Sequence, residues 1–179
     1  MISLACLKSH ALFGGLTDEE LEKIKTFLKK FTFKGGDTII REGESGGDLY
    51  FIIQGSVEIL KKVNMDAGES SAPDNGNENS ELQNERIAVL KEGDTFGEME
   101  LIDIQPRAAT VKALEPTVTL ILSNMDLYQI QKWNLQTYTI IIMNLAREIS
   151  RRLRKMDDLM ASTLFYRHKD DINGNYSRC

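Results

Sequence analysis

TFGEMELIDIQPRAATV, running from Thr95 to Val111, has the grammar of an anion cradle compressed into seventeen residues. Gly97 lets the backbone take φ/ψ values barred to other residues and come close to a ligand. Successive N–H groups of a short helix starting near Glu98 can then point at an anion. Arg107 contributes a planar, permanently charged fork that suits two phosphate oxygens, while Ala108 and Ala109 leave room and free amides. Glu98 is the odd member, because a carboxylate beside a phosphate is repulsive unless it accepts hydrogen bonds from something else, such as a ribose hydroxyl. The plainer reading is a surface turn in which Arg107 pairs with Glu98 or Glu100.

Outward from this stretch, the flanking pattern is helix, then strands, then helix. Asp18 to Lys30 carries Leu21, Ile24, Phe27 and Leu28 at helical spacing, with Thr17 as N-cap and Glu20 in the capping-box position. Short β-rich runs follow at Thr38–Arg41, Leu49–Ile53, Ser56–Lys62, Ile87–Leu90, Ala109–Ala113 and Val118–Leu122. Gly, Asp, Glu and Pro turns separate them, which predicts an antiparallel roll. From Asn124 to about Ala161 the period turns helical again. Ile142, Ala146, Ile149, Leu153, Met156 and Met160 follow a heptad spacing, which suits either a twin helix or the chain's own roll.

The Thr95–Val111 segment resembles the phosphate-binding cassette of cyclic nucleotide-binding domains, and the likeness runs from about Leu7 to Met160. Leu12–Glu20 resembles the family's N-terminal helical segment and Gly36–Gly43 the start of its roll. Asp48–Val57 resembles its central strand and turn, and Gly93-Asp94 precedes the cassette as in the family. The resemblance implies an α+β fold, an antiparallel, jelly-roll-like β-roll flanked by an N-terminal helical segment and C-terminal helices. It also assigns roles: Arg107 to the phosphate oxygens, Glu98 to the ribose 2′-hydroxyl, and the backbone of Gly97, Met99, Glu100 and Ala108, with Ala109, to the rest of the cradle. Relatives that prefer cGMP often carry threonine after the arginine. This chain has Ala108, which favours cAMP as the ligand, with Thr110 read as a strand residue. Val57 and Ile59 share one face of their strand and suit either the core or a wall for the base. Two departures stand out. The Ile104-Gln105 turn lacks a glycine common in the family, and Glu100 replaces a small or neutral residue. A second carboxylate there either lowers phosphate affinity or points to solvent.

Composition bounds the remaining function classes. A chain of 179 residues, 41% hydrophobic and 27% charged, can bury the core of one domain. The net charge of −5 comes from Asp66, Glu69, Asp74, Glu78, Glu81 and Glu85, which lie together without a Lys or Arg, so the rest is nearly neutral. Their setting is rich in Gly, Ser and Asn, and 64–85 is read as a flexible acidic insertion within a 1–161 domain. Residues 162–179 read as a polar C-terminal tail, in which Leu164, Phe165 and Tyr166 either cap the base or fray.

No basic leader or membrane-length apolar run is present, and Cys6 and Cys179 lack metal or redox spacing. A cytoplasmic setting with reduced thiols is expected. Arg147, Arg151, Arg152, Arg154 and Lys155 read as the solvated face of a helix rather than a nucleic-acid patch. His10 and His168 lie outside the predicted roll, so no metal site is expected, and neither a serine elbow, a carboxylate pair nor a Walker loop argues for an enzyme. Nineteen residues after Met160 leave no room for a helix-turn-helix. The expectation is a stand-alone sensor of cAMP, without a further cofactor, that relays occupancy through its C-terminal helices, with a possible homodimer through 140–160. The alternative is an interaction scaffold that has kept the fold and lost the ligand.

Overall fold

The computed structural model describes residues 3–64, 82–103 and 105–174. Three helical pieces open the chain: α1 (Leu4–Ser9), a 3-10 turn (Ala11–Phe13) and α2 (Asp18–Lys25). Thr17 and Glu20 form the expected capping box, the Glu20 N–H donating to Thr17 Oγ1 and the Thr17 N–H to Glu20 Oε2. Such a cap contributes about 1 kcal/mol. The helix stops at Lys25, five residues short of the expected Lys30. Its last stretch is instead the start of β1 (Lys29–Phe33), which pairs antiparallel with β8 (Thr117–Ser123). The helical spacing of Phe27 and Leu28 continued past the true end because tertiary pairing overrode it.

Two four-stranded antiparallel sheets form the roll. The first has the order β1-β8-β3-β6, with β3 (Asp48–Gln54) at its centre and the two-residue β6 (Thr95–Phe96) at its edge. The second has the order β2-β7-β4-β5, built from β2 (Thr38–Ile40), β7 (Thr110–Ala113), β4 (Ser56–Asn64) and β5 (Leu82–Lys91). The β4/β5 ribbon pairs as far as Asn64 opposite Leu82. The 64–85 insertion is thereby corrected at both edges, since Asn64 and Leu82–Glu85 are strand; its middle, 65–81, lies outside the described residues.

Between the sheets, Ile40, Tyr50, Ile52, Val57, Phe96 and Val111 form one buried cluster. A second joins the roll to the helices through Phe13, Leu21, Ile24, Phe51, Leu122, Ile130, Ile141 and Leu145. After β8, α4 (Asn124–Trp133) is capped by Ser123 and Asp126 and ends at Asn134, whose extended backbone (φ −151°, ψ 106°) redirects the chain into α5 (Leu135–Gly174). Asn144 docks α5 on the N-terminal segment, its Nδ2 donating to the carbonyls of Leu12 and Gly14 at 2.9 Å each.

Helix α5 departs from the sequence reading in two ways. Its buried apolar residues are Ile141 and Leu145, not the heptad seam: Ile142 and Ile149 are partly buried, while Ala146, Leu153, Met156 and Met160 are exposed. The phase is set by α4 and the 3-10 turn, against which α5 packs. Its backbone is also helical through Gly174, so 162–174, read as a polar tail, continue the helix; the side chains of Leu164–Tyr166 lie outside the described residues. Among the described residues no helix is long and apolar enough to cross a membrane.

Candidate functional site

The site is assembled where the edge of the first sheet turns into α3 (Glu98–Asp103) and the chain returns toward β7. Pairing of Tyr50 with Phe96 and of Phe51 with Thr95 fixes the approach, and the Tyr50 and Phe96 rings stack with centroids 4.7 Å apart and planes 5° from parallel. At Gly97 the backbone takes φ +81°, and an added Cβ would collide with the Asp48 carbonyl oxygen and lie 2.9 Å from Arg107 Nη1. Only glycine combines that conformation with that approach.

Arg107 is held by its own main chain. The Gly43 N–H donates to the Arg107 carbonyl and the Arg107 N–H to the Glu44 carbonyl, both at 2.8 Å. Gly46 leaves space for the guanidinium, since a Cβ there would come within 2.7 Å of Nη2. The Arg107 side chain is buried, with the residue 6% exposed. Nη1 donates to Glu100 Oε2 at 3.0 Å, and Nη1 and Nη2 make longer contacts of 3.3 Å to the Asp48 carbonyl. The other Glu100 oxygen, Oε1, accepts from the Ala108 N–H at 2.9 Å. Glu100 therefore does not point to solvent. The pairing of Arg107 with Glu100 that a plain surface turn would show is present, but it is buried inside the cradle.

Glu98 faces α5. Arg152 Nη1 donates to Glu98 Oε1 at 2.7 Å, and Arg152 Nη2 donates to the Thr95 carbonyl at 2.6 Å. Arg152 is thus removed from the solvated basic face, where Arg147, Arg151, Arg154 and Lys155 remain exposed. Sequence reasoning missed it, although Arg152 falls seven residues after the buried Leu145 and so shares its face. Lys61 was also missed; its Nζ donates to Glu42 Oε1 at 2.9 Å and to the Ala108 carbonyl, bracing the far end of the cradle.

Burial pushes the Glu98 carboxyl above its ordinary 4.5, outweighing the attraction of Arg152, and nearby Glu100 adds to the rise. The folded chain then holds this proton more tightly than the unfolded chain. The resulting stabilisation is complete below pH 4.5 and fades as pH rises through the raised folded value. Glu98→Gln, which cannot titrate, is expected to gain stability relative to the parent over that window. Urea midpoints measured at a series of pH values check this, and a gap moving the other way would assign Arg152 the dominant effect.

The candidate residues Gly97, Glu98, Met99, Glu100, Arg107, Ala108 and Ala109 all line one cavity of about 950 Å³, within the range of small-molecule sites. Ile59 lines its apolar wall. Val57 does not; it is fully buried in the core beneath, which corrects its reading as a base contact. From the opposite side α5 contributes Arg152, Met156, Leu159 and Met160. The arrangement places a buried arginine and the Ala108 N–H at one end, both engaged by Glu100, with the Glu98 carboxylate beside them and an apolar chamber beyond.

Comparison with known proteins agrees with this geometry. Residues 30–133 match the family described as cyclic nucleotide-binding domain. The chain is 27% identical over 151 residues to a cyclic AMP receptor protein of Thermus thermophilus, covering 84% of this chain and 61% of that one. It is 29% identical over 127 residues to cGMP-dependent protein kinase, isozyme 1, of Drosophila melanogaster, covering 71% of this chain and 15% of the kinase. It therefore spans less than two thirds of either relative. A crystal structure of a cyclic nucleotide-binding domain from Methylobacillus flagellatus superposes with a TM-score of 0.74 at 23% identity, covering 89% of this chain and 81% of that one. With the buried Arg107 and Glu98 on one cavity and more than half its length matched, this chain belongs to the cyclic nucleotide-binding domain family.

Proposed function

We propose that this chain is a non-catalytic cyclic nucleotide sensor that takes cAMP in preference to cGMP and passes occupancy to α5. Arg107 and the Ala108 N–H supply the phosphate contacts, Glu98 accepts from the ribose, and Ile59 with the α5 methionines covers the base. The base preference rests on Ala108, which has no hydroxyl to offer guanine. Thr110, the nearest alternative, accepts from the Glu42 N–H at 3.0 Å and belongs to β7.

The relay rests on one observation, the bond from Arg152 of α5 to Glu98. A ribose hydroxyl that takes Glu98 competes with Arg152, and that competition gives the ligand a different affinity for the two positions of α5, as any switch requires. A parallel homodimer through 140–160 belongs to the same proposal, because Met143, Ala146 and Leu153 are exposed on α5 without lining the cavity, and a twin helix would cover them. A sedimentation mass of two chains at micromolar concentration is expected, and a mass of one would remove the dimer.

Calorimetric titration of nucleotide-free protein with cAMP and, separately, cGMP tests the sensor, with hydrogen exchange followed on α5. Tighter binding of cAMP and altered exchange around Arg152 are the expected outcome. The Glu100–Arg107 pair favours a second reading, a scaffold that keeps the fold without the ligand. Absence of heat with both nucleotides would select it.

A further inference from the structure

We propose that Glu100 is a built-in competitor for the phosphate subsite, so that this residue, rather than Arg107 alone, sets how strongly the cradle takes a phosphate. The inference rests on the reading of the cavity as a cyclic nucleotide site. The Glu100 carboxylate has one oxygen on Arg107 Nη1 at 3.0 Å and the other on the Ala108 N–H at 2.9 Å. These are the two donors at the head of the cradle, and a two-oxygen anion of the chain's own already spans them.

Three features make the contact more than a surface ion pair. Both partners are buried, Glu100 at 5% and Arg107 at 6% exposure, so water does not screen them. The other cations that contact the cassette are engaged too, Arg152 by Glu98 and the Thr95 carbonyl and Lys61 by Glu42 and the Ala108 carbonyl. A phosphate arriving at Arg107 would therefore meet two carboxylates, and no further cation among the described residues contacts Glu98 or Glu100. Binding requires the Glu100 side chain to leave its donors. The measured affinity is then the intrinsic affinity reduced by the fraction of molecules in which Glu100 has withdrawn.

The competition acts on the phosphate and not on the sugar or base, and this separates it from a general loosening of the site. Glu100→Ala opens the subsite; Glu100→Gln keeps the side chain's size, and an acceptor for the Ala108 N–H, while removing the charge. Calorimetric titration of parent and both variants with cAMP and with adenosine tests the idea. We expect both variants to bind cAMP at least tenfold more tightly, about 1.4 kcal/mol, with adenosine binding unchanged. If the alanine variant fails to fold because Arg107 is left unpaired, the glutamine variant decides alone. A parent that binds cAMP with neither variant any tighter overturns the competitor and leaves the sensor standing. An equal gain for adenosine also overturns it, since the effect would not run through the phosphate. No cAMP binding by any of the three proteins overturns both this inference and the sensor.

Discussion

Arg107→Ala is expected to weaken cAMP binding at least tenfold, a loss of at least about 1.4 kcal/mol, and to destabilise the fold as well. The two effects have different origins. Binding suffers because the phosphate loses its forked donor. Stability suffers because Glu100 remains as a buried carboxylate without its cation, and removal of one partner from a buried pair costs about 3–5 kcal/mol. Calorimetry reads the first and urea denaturation the second. The competitor adds a further expectation. In a Glu100→Gln background the parent arginine is free for phosphate, so the binding loss on removing Arg107 should be larger there, while the stability loss should be smaller. Unchanged cAMP affinity in Arg107→Ala would reject the assigned phosphate site.

Gly97→Ala is the second large change. Its φ of +81° is a left-handed conformation, which costs an alanine about 1–2 kcal/mol. The new Cβ would also press on the Asp48 carbonyl and on Arg107 Nη1, and overpacking of this kind costs about 1–3 kcal/mol more. Gly93→Ala supplies the control, because Gly93 has φ +89° but no atom within 4 Å of an added Cβ. A denaturation loss clearly greater at Gly97 than at Gly93, with cAMP binding lost only at Gly97, is the expected result. Equal losses would mean that the turn moves aside and that the close approach has no role.

Much of the architecture was legible because its signals are local. Six runs of β-rich residues mark six of the eight strands among the described residues, and Thr17 with Glu20 marks the start of α2. The two missed strands explain themselves. Lys29–Phe33 continues a helical spacing in a highly charged context, and Thr95–Phe96 is two residues long, held by its partner Tyr50-Phe51 rather than by any pattern of its own. The misjudged phase of α5 has a similar cause. A seam of Ile142, Ala146 and Ile149 and a face of Ile141 and Leu145 are equally apolar on paper, and packing against α4 and the 3-10 turn chose between them.

By itself the sequence determined the cassette: a glycine where the backbone must turn left-handed, one arginine among small residues, and a glutamate that needs a hydrogen-bond donor. Those properties belong to single residues and their near neighbours, so no fold is needed to read them. The partners of the charges were decided only in three dimensions. Glu98 and Arg152 stand 54 residues apart, and they meet because Ile141, Leu145 and Asn144 seat α5 against the roll and the N-terminal segment. Glu100 turns inward rather than to solvent because Arg107 and the Ala108 N–H reach it from the returning chain. An ion pair depends on distance and burial, and both are properties of the packed molecule.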